Sequence, residues 1–270
     1  MSDLLGYKGK TVVMTGCATG MGAAAAEMLV DLGAEVWGLD LFDVKAPIHR
    51  SFRVNMMEKD TIDAAIAELP DEIDILFNCA GVPSPPTPAH DALKINFVGL
   101  RHLTDALIPR IREGGSITSI ASTAGMGWKS NLDAVKEFLA LETFDAAVDA
   151  MEADPDKYQD GYGFAKQCII VYTQMIAGEL CEKNIRINCI APSPTDGVFM
   201  DNLAKAMPRE VVMPFTPANG QIAQPVDMGK VVVLLGSDLA SFVSGVNLPV
   251  DLGYCAQIYM GQRDNLMNIT

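Results

Sequence analysis

The stretch DGYGFAKQ, Asp160 to Gln167, sets Tyr162 and Lys166 four residues apart. On a helix that spacing puts both side chains on one face. A free phenol has a pKa near 10, too high for efficient acid–base work at neutral pH, and a neighbouring ammonium favours the phenolate. The pair can therefore carry a proton, or it can be an ordinary contact on an amphipathic helix. With 6 tyrosines and 12 lysines in 270 residues, chance alone supplies about 0.27 such spacings. Other parts of the chain must decide.

A second constellation points to a nucleotide. TGCATGMG, Thr15 to Gly22, follows an apolar run and opens an alanine-rich stretch. Between a strand and a helix, Gly16 makes the tight turn, Gly20 lets backbone approach a pyrophosphate and Gly22 permits close packing. Ala18, Thr19 and Met21 complete the loop. Asp40 stands 18 residues after Gly22, where a carboxylate accepts from both ribose hydroxyls and repels a 2′-phosphate. Leu41 follows it, and Lys45 is the nearest cation. The cofactor expected is NAD rather than NADP. NCAG, Asn78 to Gly81, ends another apolar run, and its small Ala80 and Gly81 let a cofactor lie against the sheet edge.

The elements that must hold these groups alternate. Strands are expected at 10–14, 35–39, 73–77, 116–120, 185–190 and 246–250. Helices are expected at about 20–32, 92–111, 161–182 and 226–235. Strand–helix alternation predicts a mostly parallel sheet with helices on both faces. No repeat or linker interrupts it, so one domain over 1–270 is expected. Val82–Ala89 holds four of the 15 prolines and reads as a loop.

In this order the residues resemble the short-chain dehydrogenase/reductase family, over nearly the whole chain from Thr15 to Gly253. That resemblance implies a doubly wound Rossmann domain of the α/β class. TGxxxGxG is Thr15–Gly22, NNAG appears as Asn78-Cys-Ala-Gly81, and YxxxK is Tyr162–Lys166. Asn96 in KINFVG matches the family's helix asparagine, and GSITSIASTAG matches the strand ending in its catalytic serine, Ser122. The resemblance implies that Tyr162 exchanges the proton of an alcohol while a hydride passes to or from nicotinamide. It implies that Lys166 lowers the phenol pKa and binds ribose, Ser122 polarises the substrate oxygen, and Asn96 holds a water linking Lys166 to solvent. Pro192 and Thr195 are expected beside the carboxamide, with Asn55 and Met56 near the adenine. The chain departs from the family at Pro192-Ser193, at Asp251-Leu-Gly253 and at Asn55.

Ser122 and Tyr162 lie 40 residues apart, wider than in most of the family. The extra length, 130–156, is acidic and carries an apolar stripe at Leu132, Val135, Leu139, Phe144, Val148 and Met151. Thr143 reads as the cap of a second helix within it. We expect two short helices, forming either a lid at the substrate mouth or, alternatively, an oligomer contact or an inert surface decoration. The insertion resembles the bacterial 3α-hydroxysteroid dehydrogenase/carbonyl reductase and coniferyl alcohol dehydrogenase subgroup. It implies a bulky apolar secondary or aromatic alcohol, with Met126, Trp128, Phe199, Met200, Met213 and Phe215 either facing it or packed as plain core. A non-catalytic NAD(H)-binding sensor is the alternative of another class.

The net charge of −14 argues against nucleic acid, whose phosphates need a basic surface. No apolar run approaches a membrane span. MSDLLGYKGK lacks a signal segment, six scattered cysteines suit a reducing cytoplasm, and the sequon Asn268-Ile-Thr270 is read as accidental. Three histidines without ligand spacing predict no metal. A homodimer, or next a homotetramer, is expected.

Overall fold

Strands β1 (Thr11–Thr15), β2 (Glu35–Asp40), β3 (Arg50–Arg53), β4 (Ile73–Asn78), β5 (Ile111–Ile120), β6 (Arg186–Pro192) and β7 (Asn247–Val250) form one sheet in the order β3-β2-β1-β4-β5-β6-β7. Every pairing is parallel, where a mostly parallel sheet was expected. The computed structural model describes residues 4–269; Met1–Asp3 of the N-terminal stretch and Thr270 of the sequon lie outside them.

Side-chain alternation along β1 shows why both faces are covered. Val12 and Met14 enter a core shared with helices α1 (Gly20–Asp31) and α10 (Pro225–Gly236). Val13 enters a larger core on the other face. There lie α2 (Lys59–Glu68), α3 (Ala89–Leu93), α4 (Gly99–Leu107) and α7 (Gly161–Glu182). All six residues of β4 are buried, as a strand sandwiched between helices requires. The strand order reverses between β1 and β4, which opens a crevice at the carboxyl ends of the strands.

Three features differ from the sequence expectation. The helix expected at 92–111 is α3, a π turn at Lys94–Val98, α4 and a 3₁₀ turn at Ile108–Arg110. β5 begins at Ile111, ahead of the expected 116, and passes Gly114 at φ +82°. β3, α2 and the short helices Val198–Ala204, Arg209–Val212 and Tyr254–Tyr259 do not follow from the sequence pattern; β3 is an exposed edge strand reading RSFR, only Phe52 partly covered, with no apolar alternation to reveal it.

The insertion folds as expected into two helices, α5 (Leu132–Leu139) and α6 (Phe144–Ala153). Thr143 caps α6, its hydroxyl oxygen accepting from the Ala146 N–H at 3.1 Å. The apolar stripe does not lie over the crevice mouth as a lid. Val135, Phe138, Leu139 and Met151 are buried in the core that includes α4 and α7. Phe138 meets Phe97 at 6.2 Å and Phe164 at 5.4 Å between ring centroids. Arg101 of α4 donates to the carbonyls of Leu139 and Leu141 at 2.9 and 2.8 Å, tying off the end of α5. An amphipathic stripe needs an apolar surface, and the outer face of α4 and α7 supplies one. The acidic side chains of α5 and α6 stay in water.

All six cysteines are free, and only Cys181 is exposed. Among the described residues no helix is long and apolar enough to cross a membrane, and no group of three His, Cys, Asp or Glu could hold a metal.

Candidate active site

The turn after β1 is built for backbone alone. Gly16 has φ +69°, and a Cβ there would come within 2.4 Å of the Ala80 nitrogen. A Cβ at Gly22 would lie 2.0 Å from the Gly16 carbonyl oxygen. Gly20 also adopts the left-handed region, at φ +60°, with no atom within 4 Å of a Cβ built there. Thr19 precedes α1 without a side-chain capping bond, and no acidic residue sits in the helix's first turn. The positive end of α1 is therefore left to an anion, as pyrophosphate binding requires.

Asp40 closes β2 beside this turn. Its Oδ2 accepts from the Ala18 N–H at 2.8 Å and its Oδ1 from the Phe42 N–H at 2.9 Å. Ala18, Thr19 and Met21 flank the crevice, and Leu41 and Phe42 are exposed next to the carboxylate. The Thr15 hydroxyl accepts from the N–H groups of Cys79 and Ala80, both at 3.1 Å, and brings Ala80 and Gly81 to the crevice edge.

Three residues expected near the cofactor turn their side chains to the protein itself. Asn78 is 1 % exposed, and its Nδ2 donates inward to Thr104 and Ser119. Asn55 spends Nδ2 on Glu58 and Oδ1 on the Met57 N–H, fastening the turn before α2. Met56 belongs to the core.

Ser122 and Tyr162 arrive from opposite ends of the insertion. Ser122 follows β5 and caps a 3₁₀ turn, Thr123–Gly125, its Oγ accepting from the Ala124 N–H at 3.1 Å. Asp160, not anticipated from the sequence, caps α7 through the Gly163 N–H at 3.0 Å. The Asp-Gly pair ahead of the helical pattern was the available signal. Gly161 touches α3 so closely that a Cβ would lie 1.8 Å from the Ala89 carbonyl oxygen. Tyr162 thus enters the crevice on the first turn of α7, with Lys166 one turn behind.

Lys166 is 3 % exposed. Its Nζ donates to the Ile120 carbonyl at 2.8 Å and lies 5.5 Å from the centre of the Tyr162 ring. Burial lowers the ammonium pKa to about 8. Burial also pushes the Tyr162 phenol up to about 12, a hydrogen bond from Ser122 lowers it, and the Asp160 carboxylate raises it. The lowered phenol expected from the Tyr–Lys spacing is therefore not produced by the protein's own groups, because desolvation outweighs them.

Asn96 lies on the π turn, fully buried. Its Oδ1 accepts from the Val82 N–H at 3.1 Å, and its Nδ2 donates to the carbonyls of Val82 and Ala92 at 3.0 and 2.8 Å. Both amide hydrogens are spent on fixing the loop after Gly81 and the helix before Asn96. Pro192 ends β6, and the Thr195 hydroxyl turns to its own loop, donating to the Ser193 carbonyl at 2.9 Å.

Of the expected substrate residues, only Phe199 is paired with Tyr162, at 5.6 Å between ring centroids. Met126 is core, its sulfur accepting from Asn247 Nδ2 at 3.0 Å. Met200 is buried and Trp128 half-buried, Phe215 packs against the core, and Met213 is 37 % exposed.

Comparison with known proteins agrees with this arrangement. A family profile described as short chain dehydrogenase matches residues 10–132, and one described as enoyl-(acyl carrier protein) reductase matches 145–255. The coniferyl-alcohol dehydrogenase of Pseudomonas sp. (strain HR199 / DSM 7063) is 30 % identical over 245 residues, 90 % of this chain and 96 % of that one. The 3-alpha-hydroxysteroid dehydrogenase/carbonyl reductase of Comamonas testosteroni is 27 % identical, over 90 % of this chain and 95 % of that one. The crystal structure of the 3-alpha-hydroxysteroid dehydrogenase from Pseudomonas sp. B-0831 complexed with NADH superposes with a TM-score of 0.78 at 23 % identity, covering 94 % and 100 % of the two chains.

The buried ammonium has a pH signature. The folded pKa of Lys166, about 8, lies below its ordinary 10.5, so its burial penalty is full below pH 8 and relieved between 8 and 10.5. Relative to Lys166→Met, the wild type should gain roughly 3 kcal/mol of unfolding free energy between pH 7 and pH 10.5. Urea denaturation of both proteins at the two pH values checks this; a constant difference contradicts it.

Proposed function

Since the chain belongs to the short-chain dehydrogenase family, we propose that it is an NAD-dependent oxidoreductase interconverting a bulky apolar secondary or aromatic alcohol and its carbonyl compound. The observation that carries this reading is the buried Lys166 Nζ 5.5 Å from the Tyr162 ring, with Ser122 acting to lower the phenol pKa.

The residues present fit NAD. The left-handed glycines, the open end of α1 and Asp40 would hold pyrophosphate and adenosine ribose, and Ala80 and Gly81 would pass along the sheet edge. When bound, NAD supplies the acceptor or donor of hydride, and in its oxidised form a positive charge. The protein's own groups manage the proton. Tyr162 takes it from the alcohol oxygen in oxidation and returns it in reduction. Ser122 donates to the same oxygen and stabilises the negative charge that develops there. Lys166, fixed by Ile120, presents a cation on the side of the phenol away from substrate. A phenol held near 12 by burial needs that charge, and a second one, to act near neutrality.

The segment after β6 supports a bulky apolar substrate. Val198, Val211 and Met213 are exposed there, on the chain that carries Phe199 to Tyr162. The relatives named for coniferyl alcohol and for 3-alpha-hydroxysteroids act on alcohols with large apolar frameworks, one aromatic and one secondary. For assembly we favour a homodimer. The insertion covers α4 and α7, while Leu239 and the fully exposed Phe242 precede edge strand β7 and remain for a second copy. Free thiols suit the cytoplasm.

Tyr162→Phe keeps the ring and removes the proton carrier. Turnover of a panel of aryl and steroid alcohols should fall by at least about a thousandfold, with NADH affinity by fluorescence within about threefold of wild type. Retained turnover refutes the assignment. Asp40→Ala removes the ribose acceptor and the repulsion of a 2′-phosphate. The ratio of kcat/KM for NAD over NADP should drop by about a hundredfold or more; a wild type that already prefers NADP overturns the role of Asp40.

A further inference from the structure

Two walls flank the Ser122–Tyr162 pair. One runs from Ser122 through the Thr123–Gly125 turn to Met126, Gly127 and Trp128. The other follows β6: α8 (Val198–Ala204), α9 (Arg209–Val212) and the 3₁₀ turn Met213–Phe215, with Phe199 against Tyr162. They are far apart in sequence, and residues 261–269 join them.

The link to the second wall is Arg263. Its Nη1 donates to the Thr216 carbonyl at 2.6 Å and its Nη2 to the Pro214 carbonyl at 2.9 Å. The guanidinium lies 4.8 Å over the ring of Tyr254, a fully buried residue of α11 (Tyr254–Tyr259). Thr216 is 1 % exposed, and its hydroxyl donates to the Met213 carbonyl at 2.7 Å. The arginine therefore grips the turn carrying Met213 and Phe215 at two points, from a ring anchored in the core. A planar fork reaches two carbonyls at once, which a lysine cannot match.

The link to the first wall lies a few residues on. Asn265 closes a turn with Ile269, donating to its carbonyl at 2.8 Å and accepting from its N–H at 2.7 Å. Ile269 is 4 % exposed and shares a core with Met126. Trp128, Phe215 and Met267, each half-buried, pack against that core. A Cβ at Gly127 would lie 2.8 and 2.9 Å from the carbonyl oxygens of Asn268 and Met267, so the tail rests directly on the backbone beyond Ser122.

We propose that Arg263 is a positioning residue that determines substrate specificity, clamping the 213–216 turn to the C-terminal tail and so fixing the width of the cleft between Phe199 and Trp128. This rests on the dehydrogenase reading above. Arg263 touches neither the Ser122–Tyr162 pair nor the glycine turn. Its loss changes how a large alcohol is held and leaves a small alcohol and the cofactor unaffected. Without the fork the 213–216 turn keeps its Thr216–Met213 bond and the packing of Phe215 but loses its tie to the tail, and a large alcohol loses the rigid surface that orients it.

The test compares wild type, Arg263→Lys and Arg263→Ala at saturating NAD, with a 3-hydroxysteroid and an aryl alcohol as large substrates and 2-propanol as the small one. For Arg263→Ala, KM for the large substrates should rise about tenfold or more while kcat stays within about threefold, and kcat/KM for 2-propanol should stay within about threefold. Arg263→Lys should recover part of the loss, and NADH affinity should be unchanged. Amide hydrogen exchange should quicken at 213–216 and 265–269 and not in α1. Exchange reads the clamp without turnover, so a wild type inactive on every alcohol sinks the dehydrogenase reading while exchange still decides on the clamp. Equal losses on large and small alcohols, or unaltered exchange at 213–216, overturn the proposal. If Arg263→Ala fails to fold, the large-versus-small comparison of Arg263→Lys decides alone.

Discussion

The Lys166 ammonium lies almost wholly out of water where β5 ends and α7 begins, with one hydrogen bond to the Ile120 carbonyl and the Tyr162 ring 5.5 Å away. Burying a charge is unfavourable unless the surroundings answer it. Here the answer fixes several elements at once. β5 must stop with the Ile120 carbonyl facing α7, which also delivers Ser122 two residues on. Gly125 must lack a side chain, since a Cβ would fall 2.7 Å from the Lys166 backbone. The Val82 loop must cross near the ammonium, and Asn96 holds it there from the π turn. A single lysine thus ties β4, β5 and α7 into one arrangement at the carboxyl edge of the sheet.

The insertion solves a packing problem and leaves the chemistry alone. The π turn before α4 and helix α7 present an aromatic outer face, Phe97, Phe164 and Tyr172, that water would leave unburied. α5 and α6 cover it with Phe138, Val135 and Met151 and turn their carboxylates outward. Their ends nonetheless fall beside Ser122 and Tyr162, so the covering segment and the active crevice share their boundary residues. The walls of the crevice come from elsewhere, from the chain after β6 and the tail that meets Gly127.

The sequence reveals what rests on local constraint. The glycine turn and Asp40 are legible because nearly every residue there answers a backbone requirement that follows the first strand. Tyr162 and Lys166 are legible through helical spacing, and Thr143 through its capping chemistry. What depends on distant partners is not. β3 has no pattern of its own, and it forms because β2 offers an unpaired edge. Asn55, Asn78 and Asn96 carry side chains suited to a ligand, yet each turns its amide nitrogen to a neighbour that the fold brings near. The stripe at 132–151 announces an apolar partner without saying which surface that is. Arg263 gives no local signal, because the carbonyls it grips lie some fifty residues earlier. The phenol of Tyr162 shows the same limit, since spacing reveals the cation and not the desolvation that outweighs it.

The central claim is that Tyr162 is a half-buried phenol, pushed up to about 12 by desolvation and brought into working range by positive charge around it. Ultraviolet difference titration of wild type against Tyr162→Phe isolates this one phenolate. Without cofactor, the difference signal should stay silent up to about pH 11. With saturating oxidised NAD, the midpoint should fall by about two pH units or more, and with NADH, which lacks the nicotinamide charge, by far less. A midpoint near 10 without cofactor, or one that oxidised NAD leaves in place, contradicts the account.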